Sequence, residues 1–219
     1  MRRVIGIGET ILDILFKNNQ PTAAVPGGSV FNGLVSLGRA GANVLFISEV
    51  GSDKVGRIIL DFMKENGIST DSVMVYPERK SPVSLAFLNE KNDAEYSFYK
   101  DYPNLRLDIE MPEVTSEDIV VIGSYYAVTA QLRDKVKDLL DKARQAGAII
   151  YYDVNFRSSH ASEAIKLLPN ILENFEYADI VRGSTEDFGN MFGLMNADDI
   201  YRQKVGFYCP RFICTNGGE

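Results

Sequence analysis

Apolar positions along the chain follow two rhythms, and the change between them sets the architecture. Val4-Ile5-Gly6-Ile7-Gly8 is a short continuous apolar run, the pattern of a strand buried on both faces. Residues 9–16 continue it as extended chain. From about Val30 to Ala40 the apolar residues recur at helical spacing, and a strand follows over Asn43–Ser48. Ser52 or Asp53 then caps a helix over about Lys54–Glu65, which stops at Asn66-Gly67. Strands alternating with helices in this way predict a parallel sheet with helices on its faces.

The rhythm then drops to period two. Ser72–Tyr76, Val83–Asn89 and Ala94–Tyr99 read as short strands, separated by Pro77, Pro82 and a polar turn over 89–93. No helix lies between them, so they predict an antiparallel ribbon: a lid over a cleft, a pairing surface for a second subunit, or a mere excursion from the domain. From Asp118 the first rhythm returns. Strands are expected over 119–123, 148–152, 178–181 and 211–215. Helices are expected over 131–145 and 162–173, the latter interrupted near Pro169, with another opened by Ser184-Thr185-Glu186. There are no internal repeats, linkers or low-complexity segments.

Composition narrows the function classes. The 219 residues suffice for one large or two small domains. Lys and Arg number 23 against 30 Asp and Glu, a net charge of −7 that disfavours nucleic acid or an anionic membrane as partner. No run of about 18 apolar residues is present, and Arg2-Arg3 leads straight into a short strand, so neither a membrane span nor a signal peptide is expected. Cys209 and Cys214 read as reduced thiols in or near a core, and His160 is the one histidine. A cytoplasmic protein without a structural transition metal is expected.

Candidate chemistry gathers on Gly27-Gly28-Ser29-Val30-Phe31-Asn32. Two glycines let the backbone turn and approach a ligand closely. Asn32 falls in the first turn of the following helix, beside backbone N–H groups without partners. An amide there both donates to and accepts from a hydroxyl, which suits a polyol. The plainer reading is a Gly-rich loop opening a packed helix. Asp13 stands in an apolar run and requires partners; a turn or cap role would also satisfy it. Asp153-Val154-Asn155-Phe156-Arg157 follows a strand, at the sheet edge where parallel α/β proteins bind ligands.

Five motifs in order, Gly8-Glu9 with Asp13, Gly27-Gly28 with Asn32, Val50 to Gly56, the period-two insertion, and Asp153 to Arg157, resemble the ribokinase-like (PfkB) carbohydrate kinases, most of all the bacterial fructokinases. The resemblance implies an α/β fold of Rossmann-like type, a parallel sheet flanked by helices, with a small antiparallel β-sheet lid formed by parts of 9–26 and 72–100. It implies transfer of the γ-phosphate of ATP to a sugar hydroxyl, with Mg2+ as the metal. By position, Asp13, Gly27, Gly28, Asn32, Tyr99 and Ser124 would bind the sugar. Phe98, Tyr99 and Lys100 would close over it. Asn155, Glu186, Thr215 and Gly217 would serve the nucleotide, Glu186 acting on the metal through water. Arg157 would offset charge on the transferred phosphate. A homodimer through the lid is expected, burying Leu85, Phe87 and Phe98.

Two departures stand out. The family's Asn-x-x-Glu finds its glutamate in Glu186, but the asparagine position holds Gly183. The Gly-Ala-Gly-Asp stretch that carries the family's general base does not occur in these residues, and Thr215-Asn216-Gly217-Gly218 resembles only the start of the nucleotide loop. The expectation is therefore a sugar kinase chain without its C-terminal nucleotide-binding segment, inactive as it stands. A non-catalytic sugar-binding or interaction protein, and a kinase for ribose or 2-keto-3-deoxygluconate, are the alternatives. A nicotinamide enzyme is disfavoured because the third glycine of a dinucleotide fingerprint is missing near Ile11.

Overall fold

A computed structural model of the chain describes residues 2–90, 94–103 and 106–217. It divides into two compact units, Glu9–Glu110 and Met1–Gly8 with Met111–Glu219. The first strand, β1 (Arg3–Ile7), belongs to the second of these.

The Glu9–Glu110 unit contains β2 (Ile11–Lys17), β3 (Gln20–Gly27), α1 (Ser29–Arg39), β4 (Asn43–Gly51), α2 (Lys54–Glu65), β5 (Ile68–Ser69), β6 (Val73–Tyr76), β7 (Val83–Leu88) and β8 (Ala94–Tyr99). β4 is buried from Val44 onward and runs parallel to β5 and β6. α1 sinks Val30, Phe31, Leu34 and Val35 into the core, where Phe31 meets the rings of Phe46 and Phe62. α2 keeps its predicted bounds for the predicted reasons. The Asp53 carboxylate accepts from the N–H of Gly56 at 2.8 Å, and Gly67 turns the chain at φ +72°.

The small sheet has the order β3-β2-β7-β8. β2–β3 and β7–β8 are antiparallel, but β2–β7 is parallel, so the sheet is mixed rather than purely antiparallel. The expected ribbon also loses its first member, because Val73–Tyr76 pairs in parallel with β4. An apolar pattern shows that a strand has a face to bury, not which neighbour it takes. β3 had no signal in the pattern: Gln20 to Val25 are exposed, and Pro21 and Pro26 suit an edge strand. Residues 91–93 of the expected polar turn lie outside the described residues.

In the other unit β1 is joined by β9 (Ile119–Gly123), α3 (Arg133–Ala146), β10 (Ile149–Asp153), α4 (Ala164–Tyr177), β11 (Ile180–Ser184), α5 (Thr185–Phe192), α6 (Ala197–Gln203) and β12 (Phe212–Thr215). Its strands are all parallel, in the order β1-β9-β10-β11-β12, so their carboxyl ends share one edge. α4 starts later than expected and runs through Pro169 without the expected interruption. The proline withholds one N–H, but Leu167, Ile171 and Phe175 bury one face of the helix, and packing outweighs the lost bond. The short, polar α6, capped by Asn196, was not foreseen.

Candidate functional site

In the Glu9–Glu110 unit the candidate site is built around Asp13, half-buried in the middle of β2. The strand register sets Ser84 of β7 directly beside it, and the Ser84 hydroxyl donates to the carboxylate. The other carboxylate oxygen hangs over residue 27, where a Cβ would fall 2.6 Å from it. Glycine at 27 is thus the space that the carboxylate occupies. Gly28 is required twice over. Its φ is +145°, and a Cβ there would fall 2.3 Å from the carbonyl oxygen of Glu9. It is also the N-cap of α1 and supplies no side-chain acceptor to the first turn. Asn32 is exposed on that turn. Burial pushes the Asp13 carboxyl up, the Ser84 hydrogen bond opposes this, and the charge of Glu9 adds to it.

Not every expected residue joins this group. Tyr99 pairs with Val83, so it lies on the face of the small sheet opposite Asp13 and Ser84. Phe98, which pairs with Ser84, lies on Asp13's face. A shift of one residue exchanges the faces of a strand, and the register puts Phe98 rather than Tyr99 on Asp13's face. Tyr99 instead lines a cavity of about 530 Å³ beside β8, together with Phe98, Lys100, Lys80, Ser81 and Asp53. Ser84 was missed in the sequence. Its signal was a hydroxyl inside the apolar alternation Val83-Ser84-Leu85-Ala86.

In the other unit the candidates collect at the carboxyl edge of the parallel sheet. Ser124 follows β9 at φ +55° and Asn155 follows β10 at φ +37°, two strained positions in neighbouring loops. The N–H of Ser124 donates to the Asp153 carbonyl at 3.1 Å. Tyr125 stacks on His160 at 4.2 Å, with Phe156 edge-on at 6.3 Å. Arg157 is exposed at the start of a single 3-10 segment, Ser158–Glu163. Arg182, not singled out in the sequence, reaches Asp153 at 3.0 Å and the Thr215 hydroxyl at 3.2 Å. Burial pushes the Asp153 carboxyl up, and the Arg182 guanidinium counters it. The Thr185 hydroxyl donates to the Asn216 side chain at 3.0 Å, tying α5 to the segment that carries Gly217, at φ +59°.

Glu186 is exposed on the first turn of α5. The two residues that the structure does join at a three-residue separation are one position further on. The Ser184 hydroxyl and N–H each lie 2.7 Å from the Asp187 carboxylate, and the N–H of Asp187 returns a bond to Ser184, a reciprocal helix cap. Gly183 is filled from outside. A Cβ there would fall 2.6 Å from the ring of Phe188 and 3.4 Å from Val154.

A parallel sheet with polar residues gathered at its carboxyl edge, and a small mixed sheet bearing a hydroxyl-bonded carboxylate, define a ribokinase-like α/β protein. Residues 1–207 match the model of the pfkB family carbohydrate kinases. The chain belongs to that family. It is 26% identical over 214 residues to the probable fructokinase-6, chloroplastic, of Arabidopsis thaliana, covering 92% of this chain and 55% of that protein. The chain spans between about half and two thirds of the length of the curated relatives it matches. Among solved structures, the apo fructokinase of Vibrio cholerae O395 superposes with a TM-score of 0.84 at 19% identity, over 98% of this chain and 75% of that one. The fructokinase of Xylella fastidiosa with bound ATP gives 0.76 at 22% identity, over 100% of this chain and 73% of that one.

Proposed function

We propose that this chain holds the sugar-binding and phosphate-facing residues of an ATP-dependent sugar kinase, with fructose as its sugar. The observation that carries the reading is the Asp13 carboxylate, fixed by Ser84 and seated over Gly27 at the start of α1. A fixed carboxylate accepts from two hydroxyls and so orients a sugar as apolar contacts cannot. Asn32 adds an amide, and Phe98 an apolar wall on the same face. In the other unit, Arg157 and the tethered Arg182 offer cations for phosphate, beside Ser124, Asn155, Thr215 and Gly217.

Bound ATP would supply the phosphoryl group and Mg2+ would neutralise its charge. Magnesium is commonly held by one or two carboxylates and the phosphates themselves. The exposed Glu186 fits that role through water. Among the described residues no three His, Cys, Asp or Glu side chains converge on a metal cage.

Asp13→Ala should weaken fructose binding roughly tenfold to a hundredfold, the loss of a charge-assisted hydrogen bond of about 1.5–3 kcal/mol. Calorimetry over a panel of fructose, ribose and 2-keto-3-deoxygluconate checks both the residue and the sugar. An affinity unchanged within twofold removes Asp13 from the site. The 219-residue polypeptide itself should transfer no phosphate, because the family's Gly-Ala-Gly-Asp stretch is not among its residues. ATP-dependent phosphorylation of fructose by that polypeptide would overturn this assignment.

We also propose a homodimer through the face of the small sheet opposite Asp13. Ile14, Phe16, Leu85 and Phe87 share that face, and the rings of Phe16 and Phe87 stack at 4.9 Å. Phe98 lies on the other face, so it leaves the expected interface. Sedimentation showing only monomer at tens of micromolar, roughly permissive for a weak interface, counts against the dimer. No helix among the described residues is long and apolar enough to cross a membrane. We place the protein in the cytoplasm, where its free thiols Cys209 and Cys214 would stay reduced.

A further inference from the structure

Glu9, just before β2, touches two other parts of its unit. Its carbonyl oxygen is the atom that excludes any side chain at Gly28. Its carboxylate binds the chain that leaves β8: Lys100 Nζ lies 2.8 and 2.9 Å from its two oxygens, and the Tyr102 hydroxyl donates to it.

The contact continues inward from Tyr102. The Tyr102 ring covers the Arg106 guanidinium, with 3.5 Å from Cζ to the ring centroid. Arg106 donates to Glu49 through Nε at 2.6 Å and through Nη2, and both residues are buried. The other oxygen of Glu49 accepts from the Tyr76 hydroxyl at 2.9 Å and the Leu107 N–H at 3.1 Å. Leu107, fully buried, is held at φ +49°, a conformation that an apolar side chain keeps only when its surroundings impose it. A buried ion pair is weak support for stability, since desolvation offsets its attraction, and a geometric role is the better reading of this one.

We propose that Glu9 is a positioning residue for the sugar site, clamping the exit of β8, the strand that carries Phe98, to the start of β2, the strand that carries Asp13, and to the Gly28 turn before α1. The inference rests on the proposed function for the ligand alone; the clamp itself stands on the contacts above. The charge balance agrees. Glu9 adds to the burial that pushes the Asp13 carboxyl up. Burial, with Glu9 next, pushes the Tyr102 hydroxyl far up, so it stays protonated and donating at working pH.

The test uses Glu9→Gln and Tyr102→Phe in the 219-residue chain. Tyr102→Phe keeps the ring over Arg106 and removes only the hydroxyl. Amide hydrogen exchange should speed up about tenfold across Ala94–Tyr99 in both variants, as expected for losing a hydrogen bond to a charged group. Exchange in Arg133–Ala146 should not change. In Glu9→Gln the carbon-13 titration of the Asp13 carboxyl should also move down toward the ordinary carboxylate range, and fructose affinity should fall several-fold.

Exchange over Ala94–Tyr99 equal to wild type in both variants overturns the clamp. Faster exchange with an unmoved Asp13 titration makes Glu9 a structural tie only and overturns the positioning role. Protection lost in Arg133–Ala146 as well marks a general folding effect and also overturns it. If the unmodified chain binds no sugar, the sugar reading fails alone, and exchange and titration still decide the clamp.

Discussion

Alanine at position 28 is expected to abolish fructose binding and to lower the melting temperature by roughly 4–24 °C. Two independent costs meet at this residue. A side chain at φ +145° is strained by about 1–3 kcal/mol, and a Cβ placed 2.3 Å from the Glu9 carbonyl forces a backbone shift of about the same size. At 2–4 °C per kcal/mol for a chain of this length, the sum gives roughly that shift. Gly27→Ala provides the contrast. Its Cβ meets only the end of the Asp13 side chain, so the backbone can stay in place, but the displaced carboxylate gives up its hydrogen bond to the buried Ser84; stability should fall by about 1–3 kcal/mol, less than for Gly28→Ala, while binding still falls because the carboxylate leaves its place. Thermal melts and fructose calorimetry on both variants check the contrast. A Gly28→Ala chain that melts and binds like wild type would remove this turn from the site.

Local signals and non-local ones parted company in this chain. The bounds of α2 and β8 were legible, because a capping aspartate, a terminating Asn-Gly and a period-two run are written within a few residues of where they act. Gly27, Gly28 and Asp13 stood out as candidates because glycine and a stranded carboxylate both demand an explanation, and the structure sets Asp13 over Gly27. What escaped the sequence depends on register or long separation. Tyr99 and Phe98 are neighbours, and only the pairing of β8 with β7 decides which one shares a face with Asp13. Val73–Tyr76 has the right strand pattern but the partner is β4. Glu9 meets Lys100 and Tyr102, residues 91 and 93 positions away, and nothing near Glu9 announces that contact. The departure at Gly183 was visible as a substitution, but its cause was not, since the ring that fills the space arrives from the next helix.

That packing leads to the last expectation. Restoring the family's asparagine, Gly183→Asn, should destabilise this chain rather than improve it. The Phe188 ring cannot simply withdraw. It is fully buried, stacked between Phe175 and Phe192 at 6.3 and 6.2 Å, with Phe212 edge-on at 5.3 Å. A Cβ 2.6 Å from that ring is overpacked, and such insertions into a close-packed core cost about 1–3 kcal/mol. The melting temperature should fall by roughly 3–10 °C. Because Cβ causes the clash, Gly183→Ala should reproduce most of the loss, which separates crowding from any effect of the amide. The Ser184–Asp187 cap begins at the adjacent residue and ties the start of α5 to the end of β11, so the displaced ring should also loosen that helix start. Circular dichroism melts of the two variants decide the point. An asparagine variant that melts within a degree of wild type would show that Phe188 yields freely, and the substitution at 183 would then need a cause other than packing.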